Sequence, residues 1–271
     1  MAEYKVKRGD NLSKIAKQHG IDLNQLLSMN PLYKSEPDRL GVGDILRVPD
    51  AEGISQRPIV SSLSSEAQDW FKVPMGQLTF DVEGMEKPGS KYHSRVPHVP
   101  GRWSGVTIGR GYDMGQRSKE GIKAELLQAG VSNATANKFS NCSGFKGKQA
   151  KEYLDAKNLN DLSITPEQQY HLFLDTFEEY AGTVIRICSK ADVVDKYGAT
   201  NWEELEPVIR DIVVDLCYRG DYTSATRNKV QPIIVANSSN RLKRLMADEG
   251  YWRNRIGVPK DRFERRRAYS S

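Results

Sequence analysis

The sequence has little cysteine, no long apolar run and little net charge, and each shortage excludes something. Three cysteines in 271 residues, Cys142, Cys188 and Cys217, form no CxxC pair and no Cys/His metal spacing. So sparse and odd a set excludes a disulfide scaffold. Cys188 and Cys217 fall in apolar helical patterns where a thiol acts as a small hydrophobe, so reduced, structural cysteines are expected. No apolar stretch approaches the ~20 residues of a membrane-spanning helix, so no membrane insertion is expected. The opening residues MAEYKVKRGD carry charge where an export signal needs an apolar core of roughly 7–15 residues. The expectation is therefore synthesis in the cytoplasm and a non-classical route out of it. Metal, phosphate and nucleotide motifs are also missing, and no cofactor is expected.

What is present is an ordinary globular composition, with 38% hydrophobic and 28% charged residues, and a length that allows two domains. The net charge of +5 is unevenly spread: residues 241–271 hold 10 basic and 4 acidic side chains, whereas residues 1–50 hold 8 and 7.

The first fifty residues read as strand, helix, helix, strand. Tyr4–Val6 alternates, and Gly9-Asp10-Asn11 supplies turn and cap chemistry. Leu12, Ile15 and Ala16 then have helical spacing up to Gly20. Asp22 and Gln25 form an acidic capping box ahead of Leu23, Leu26 and Leu27, Asn30-Pro31 ends that helix, and Ile45–Val48 is the second strand. The pattern YxVxxGDxLxxIA, LxxLLxxNP, GDxLxVP resembles the LysM domain over its whole length. That resemblance implies a βααβ module binding N-acetylglucosamine units of peptidoglycan or chitin through two loops, here Gly9, Asp10, Asn11 and Leu12, and Asn30 and Pro31 to Tyr33. Read from the residues alone, Gly9, Asp10 and Asn30 serve equally well as turn and cap residues.

Residues 50–65, rich in Ser and following Pro49, read as a linker between a domain at 1–49 and a second at 66–271. The second domain reads as mainly helical. Ser118 caps a run through Ile122, Leu126 and Leu127. Thr165-Pro166, with Gln168 completing a capping box, opens a long helix with the stripe Tyr170, Phe173, Leu174, Phe177, Ala181, Val184 and Cys188. Pro207 opens a helix with little polar face, as a buried central helix should, and Leu242, Leu245 and Met246 mark another. The glycine-rich stretch 77–115 reads as loops and a β-hairpin around Val106-Thr107-Ile108.

That stretch sets Asp81, Glu83, Glu86 and Asp113 among basic residues, the composition of a polysaccharide cleft. A solvated loop with ion pairs would give the same pattern. Glu83-Gly84, a loop, and then SGVTIGRGYDMG resemble the catalytic core of pesticin-type, phage-lysozyme-like muramidases, and the resemblance continues loosely to the C-terminus. It implies a lysozyme-like domain with the hairpin at the cleft, an α+β protein as a whole, and a catalytic trio of Glu83, Thr107 and Asp113. In such enzymes the Glu ends a helix and protonates the leaving oxygen of a β-1,4 bond between N-acetylmuramic acid and N-acetylglucosamine. Asp then polarises a water that Thr orients. An inverting course needs carboxyl groups roughly 6.5–9.5 Å apart.

Glu86 lacks the following Gly and reads as a surface residue; Asp81 reads as a solvent or cap residue, and His93 and His98 as incidental loop residues. Arg110 and Tyr112 alternate with Thr107 and Asp113 and are expected to flank the cleft; Tyr218 and Arg219 are expected to line its far wall, although Arg219 has an i,i+4 partner in Asp215.

The expected function is that of a muramidase brought to the wall by LysM. The alternatives are a lytic transglycosylase working with a single Glu, and a non-catalytic peptidoglycan-binding protein. The basic C-terminal tail carries no nucleic-acid recognition motif, so no nucleic acid is expected as partner. Partners are peptidoglycan glycan strands and, for an antibacterial type VI secretion effector, a cognate immunity protein and a secretion-machine component. A phage endolysin released through holin pores would need neither.

Overall fold

The structure is a computed structural model describing residues 2–7, 10, 12–19, 21, 23–35, 40–49, 69–90 and 93–271. The expected linker at 50–65, and Gly9, Asn11, Gly20 and Asp22, lie outside the described residues. The chain is α+β, with short strands and a mainly helical remainder. Contacts group the described residues of Met1–Gln68 with Glu178–Ala247, and those of Asp69–Phe177 with Asp248–Ser271.

In the N-terminal module β1 (Ala2–Lys5) pairs antiparallel with β2 (Ile45–Val48), Ala2 opposite Val48 and Lys5 opposite Ile45. Between them lie α1 (Leu12–Gln18), α2 (Leu23–Met29) and α3 (Pro31–Ser35). The sequence reading ended the helical part at Asn30-Pro31. Instead Pro31 takes the first position of a third, one-turn helix, where its missing N–H costs nothing. The core is the expected spacing made solid: Leu12, Ile15, Ala16, Leu26 and Leu27 are buried with Val6, Tyr33, Leu46 and Val48.

The unit of Asp69–Phe177 with Asp248–Ser271 holds α4 (Gln77–Val82), a hairpin of β3 (Thr107–Ile108) and β4 (Tyr112–Asp113), then α5 (Lys119–Gln128), α6 (Asn133–Ser140), α7 (Gly147–Ala156) and the start of α8 (Pro166–Cys188). A π-helical turn at Gly250–Arg255 and a C-terminal helix at Lys260–Tyr269 complete it. Both caps read from the sequence are made. The Ser118 hydroxyl accepts from Gly121 N–H at 3.0 Å; Thr165 N–H donates to Gln168 at 3.0 Å while Gln168 N–H donates to the Thr165 hydroxyl at 3.1 Å. The hairpin residues Val106, Ile108, Tyr112 and Met114 share one core with Ile122, Leu126, Phe139, Leu154 and Leu172.

The buried stripe of α8 in this unit is Gln169, Leu172, Phe173, Thr176 and Phe177, with Tyr170 and Leu174 only half-buried. Sequence reading missed Gln169 and Thr176 because they are polar. Both have polar partners inside: Thr176 donates to the Leu172 carbonyl at 2.7 Å, and the Gln169 amide nitrogen donates to Glu86 at 2.8 Å.

The remaining helices are α9 (Ala191–Tyr197), α10 (Pro207–Arg219), α11 (Ser224–Val235) and α12 (Ser239–Met246), the Lys260–Tyr269 helix becoming α13. As its sequence demands, α10 is buried almost all round, including Asp211 and Asp215. All three cysteines are free; Cys142 and Cys188 are buried, and burial pushes the Cys142 thiol up to about 12.

Thr165→Ala removes half of the α8 capping box. It is expected to cost about 1 kcal/mol, read as a shift in the urea midpoint with unchanged slope.

Candidate functional site

Glu83 is the C-cap of α4, its N–H donating to the Thr79 carbonyl at 2.9 Å. A helix C-terminus is a poor place for a bare carboxylate, because the last carbonyls already carry partial negative charge. The cation that compensates comes from the other end of the unit: α13 packs on α4, and the Arg262 guanidinium forms a hydrogen-bonded ion pair with Glu83. Sequence reasoning missed Arg262. It was counted as part of a basic tail, yet its side chain is buried.

Thr107 and Asp113 face each other as a cross-strand pair of the hairpin, and Thr107 also pairs with His98, His98 N–H donating to its carbonyl at 2.9 Å. The turn between the strands is Gly109-Arg110-Gly111, both glycines at positive φ that a side chain would strain. Asp113 caps the 3₁₀ turn Met114–Gln116. Its carboxylate accepts from Gly115 N–H at 2.7 Å and from Gly105 N–H at 3.0 and 3.1 Å. This is possible because the Gly105 and Gly115 backbones cross so closely that a Cβ on Gly105 would collide with Gly115. The Thr107 hydroxyl donates to the Gly105 carbonyl at 3.3 Å. The Thr107 hydroxyl and the Asp113 carboxylate are thus both bonded to backbone groups.

Arg110 joins hairpin to helix. It is 5% exposed, and its guanidinium lies 3.7 Å from the Phe80 ring centroid, donating to the Phe80 carbonyl in α4 and to Glu86 at 2.8 Å. A Cβ on Gly84 would occupy the same space as that guanidinium. The Glu83-Gly84 pair therefore has a packing reason: Gly84 admits the arginine that docks the end of α4 on the hairpin.

Several expectations give way here. Arg110 was expected to flank the cleft, and it is spent inside the protein instead. Tyr112 is 2% exposed, with its hydroxyl donating to Glu125 at 2.7 Å and Arg117 over its ring. Glu86, expected at the surface, is ion-paired with Arg95 at 2.9 Å and Arg110 at 2.8 Å, with the His93 imidazole 3.8 Å away. Burial pushes its carboxyl up, but the hydrogen bonds from Gln169 and Arg95 and the charges of Arg110 and Arg95 outweigh burial and hold it below the usual range. Asp81 is an exposed helix residue bonded to Gln77.

Tyr218 and Arg219 belong to the unit with Glu178–Ala247. Tyr218 packs on Tyr180 at 4.2 Å between centroids, and Arg219 pairs with Asp221. Among the described residues no group of three His, Cys, Asp and Glu is placed to hold a metal, and no helix is long and apolar enough to cross a membrane.

In the N-terminal module the side chains named for sugar contact have internal work. Asn30 donates to the Leu26 and Arg47 carbonyls and accepts from Arg47 N–H, all at 2.8 Å, tying α2 to β2. Asp10 accepts from Lys7 N–H at 2.7 Å and from the Tyr4 hydroxyl at 2.8 Å. With burial leading and Asp10 adding its hydrogen bond and charge, the Tyr4 phenol is pushed up to about 12. Leu12 is core and Pro31 is exposed.

Residues 76–267 match the model of the family described as a domain of unknown function (DUF8812), and residues 4–49 match the LysM domain. An "Endolysin" of Bacillus phage PZA is 45% identical over 51 residues, 19% of this chain and 19% of its own. The "N-acetylmuramoyl-L-alanine amidase XlyB" of Bacillus subtilis (strain 168) is 34% identical over 61 residues, 22% of this chain and 19% of its own. The chain spans about a fifth of the length of these curated relatives, over its LysM region.

The lowered Glu86 carboxyl makes a signed prediction. Its contribution is complete above the unfolded carboxyl pKa near ~4.3 and is lost as pH falls through the lower folded value. Glu86→Gln leaves the buried Arg110 charge with one counter-ion fewer. It should destabilise the fold by about 3 kcal/mol at pH 7, and the deficit should shrink below pH ~4, read by chemical denaturation across pH 3–7.

Proposed function

The chain belongs to the DUF8812 family, a family described without an activity, and we propose that it is a peptidoglycan hydrolase of the muramidase class, carried to its polymer by the LysM domain at residues 4–49. The observation that carries this reading is the docking, by Arg110, of a helix-ending glutamate onto a hairpin that pairs Thr107 with Asp113. It is the arrangement that the resemblance to pesticin-type muramidases implies. The LysM domain and its likeness to an endolysin and an amidase support the cell wall as the place of action.

In this mechanism Glu83 donates its proton to the leaving glycosidic oxygen as the bond to the anomeric carbon breaks. Water adds to that carbon and gives its proton to Asp113, whose carboxylate the Gly105 and Gly115 N–H groups hold in place. Thr107 orients the water. Arg262 sets the position of Glu83.

A second reading has one observation in its favour. Asp113 already holds the 3₁₀ turn, a role that suffices in a lytic transglycosylase where Glu83 alone serves as acid and base. Delivery follows one of two routes, injection as an antibacterial effector or release as an endolysin. A gene for a cognate immunity protein beside this one marks the effector.

Purified wild type is expected to clear a peptidoglycan suspension and release new reducing ends. Glu83→Gln should still sediment with the wall while clearing falls about 100-fold or more. Equal clearing by both proteins sinks the assignment, 1,6-anhydro ends turn it into a transglycosylase, and new alanine N-termini without reducing ends turn it into an amidase.

A further inference from the structure

We propose that Trp103 is a stacking platform for a pyranose ring of the wall glycan, next to the hairpin that bears Thr107 and Asp113. This rests on the reading of the chain as a glycan hydrolase and adds a substrate subsite to it.

Trp103 is 74% exposed, more than any other large hydrophobic side chain described. A wide apolar ring left in water is unfavourable, and the surrounding backbone shows that it is not the tip of a loose loop. Ser104 N–H donates to the Gly101 carbonyl at 3.1 Å, closing a turn around Arg102 and Trp103. The Ser104 carbonyl accepts from Gly147 N–H at 2.8 Å, and Gly105 N–H is held by the Asp113 carboxylate. On the other side Gly147, at positive φ, lies so close under the Arg102 carbonyl that a Cβ would collide with it. The peptide is therefore fixed immediately before and after Trp103.

The Arg102 guanidinium carbon stands 4.9 Å from the Trp103 ring centroid, a cation–π contact over the indole. An exposed aromatic face on a pinned segment suits a flat, C–H-rich partner, and a pyranose ring presents such a face with its hydroxyls at the rim. The neighbouring Arg102 adds a cation where the carboxylate of a muramic acid or of a stem peptide can pair with it.

Position ties this platform to the proposed chemistry. Two residues after Trp103 comes Gly105, whose N–H holds Asp113, and two further on comes Thr107. A sugar seated on Trp103 is referenced through one short, pinned segment to the carboxylate and the hydroxyl of the trio.

The test uses the full chain. Its four tryptophans are Trp70, Trp103, Trp202 and Trp252, so none lies in the LysM domain, and indole N–H resonances do not report LysM binding. In the Glu83→Gln protein labelled with nitrogen-15, the Trp103 resonance is identified by its loss in Trp103→Phe. Titration with the N-acetylglucosamine tetramer should shift it saturably while that of the buried Trp252 stays in place. In wall-clearing assays Trp103→Ala should raise the apparent KM about five-fold, with melting temperature unchanged and with Trp103→Tyr restoring most of the loss. A Trp103 resonance that does not move, or an alanine variant with wild-type KM, overturns the proposal even where the wild type hydrolyses the wall. A resonance that moves in a protein whose wild type cleaves no glycan leaves the platform standing and removes the hydrolase reading instead.

Discussion

The buried guanidinium of Arg110 is the constraint on which the candidate site depends. Two parts of the chain that share no secondary structure, the end of α4 and the β3–β4 hairpin, are held against each other, with Glu83 on the first and Thr107 and Asp113 on the second. Arg110 does this with three interactions at once: a carbonyl of α4, the face of Phe80, and the Glu86 carboxylate. A cation so enclosed is tolerated only with its charge answered. Hence Glu86 is half-buried beside it, and Arg95, His93 and Gln169 are gathered around that carboxylate. Gly84 is required because any side chain there would take the guanidinium's place.

The hairpin is organised on a different principle. Thr107 and Asp113 are positioned by backbone N–H and C=O groups, which cannot change rotamer, and by two glycines crossing at a separation that admits no side chain. The same Asp113 carboxylate that holds the Gly105 amide fixes the exit of the 101–105 turn, so Thr107, Asp113 and the exposed Trp103 belong to one loop system. On the helix side the charge balance is supplied late in the chain: α13 brings Arg262 to a glutamate 179 positions earlier. Precision at a site built from loops thus comes from backbone closure and from one cation delivered from each side.

How far the sequence reveals this depends on range. Caps and turns are local, and Ser118, Thr165 with Gln168, Pro207 and Ile45–Val48 are all where the pattern puts them. The helix that Glu83 ends is not among them: the pattern reads 77–115 as loops and a hairpin, whereas Gln77–Val82 form α4. What the pattern hides is polar burial. Alternation along the hairpin does place Arg110 and Tyr112 together, but it cannot tell a face lining a cleft from one facing the core, because Glu86 and Glu125 wait there to satisfy them. Gln169 and Thr176 escape an apolar stripe for the same reason. Arg262 leaves no local signal at all, since its partner lies at the opposite end of the unit.

This changes what the basic C-terminal region means. As a sequence it is a block of surplus positive charge, and attraction to an anionic polymer follows from counting. In the structure Arg262 and Arg266 are buried, one paired with Glu83 and the other 5.9 Å from the Trp252 ring centroid. Arg253 pairs with Glu249, and Lys260 with Glu264. Part of the surplus is therefore internal, and its strength does not fade with salt as that of a solvated patch does. The exposed remainder, including Arg241, Lys243, Arg244, Arg265 and Arg267, is left to steer a polyanion. A charge count taken from sequence consequently overstates the charge left at the surface, and it conceals that one of the counted arginines holds the proposed catalytic acid.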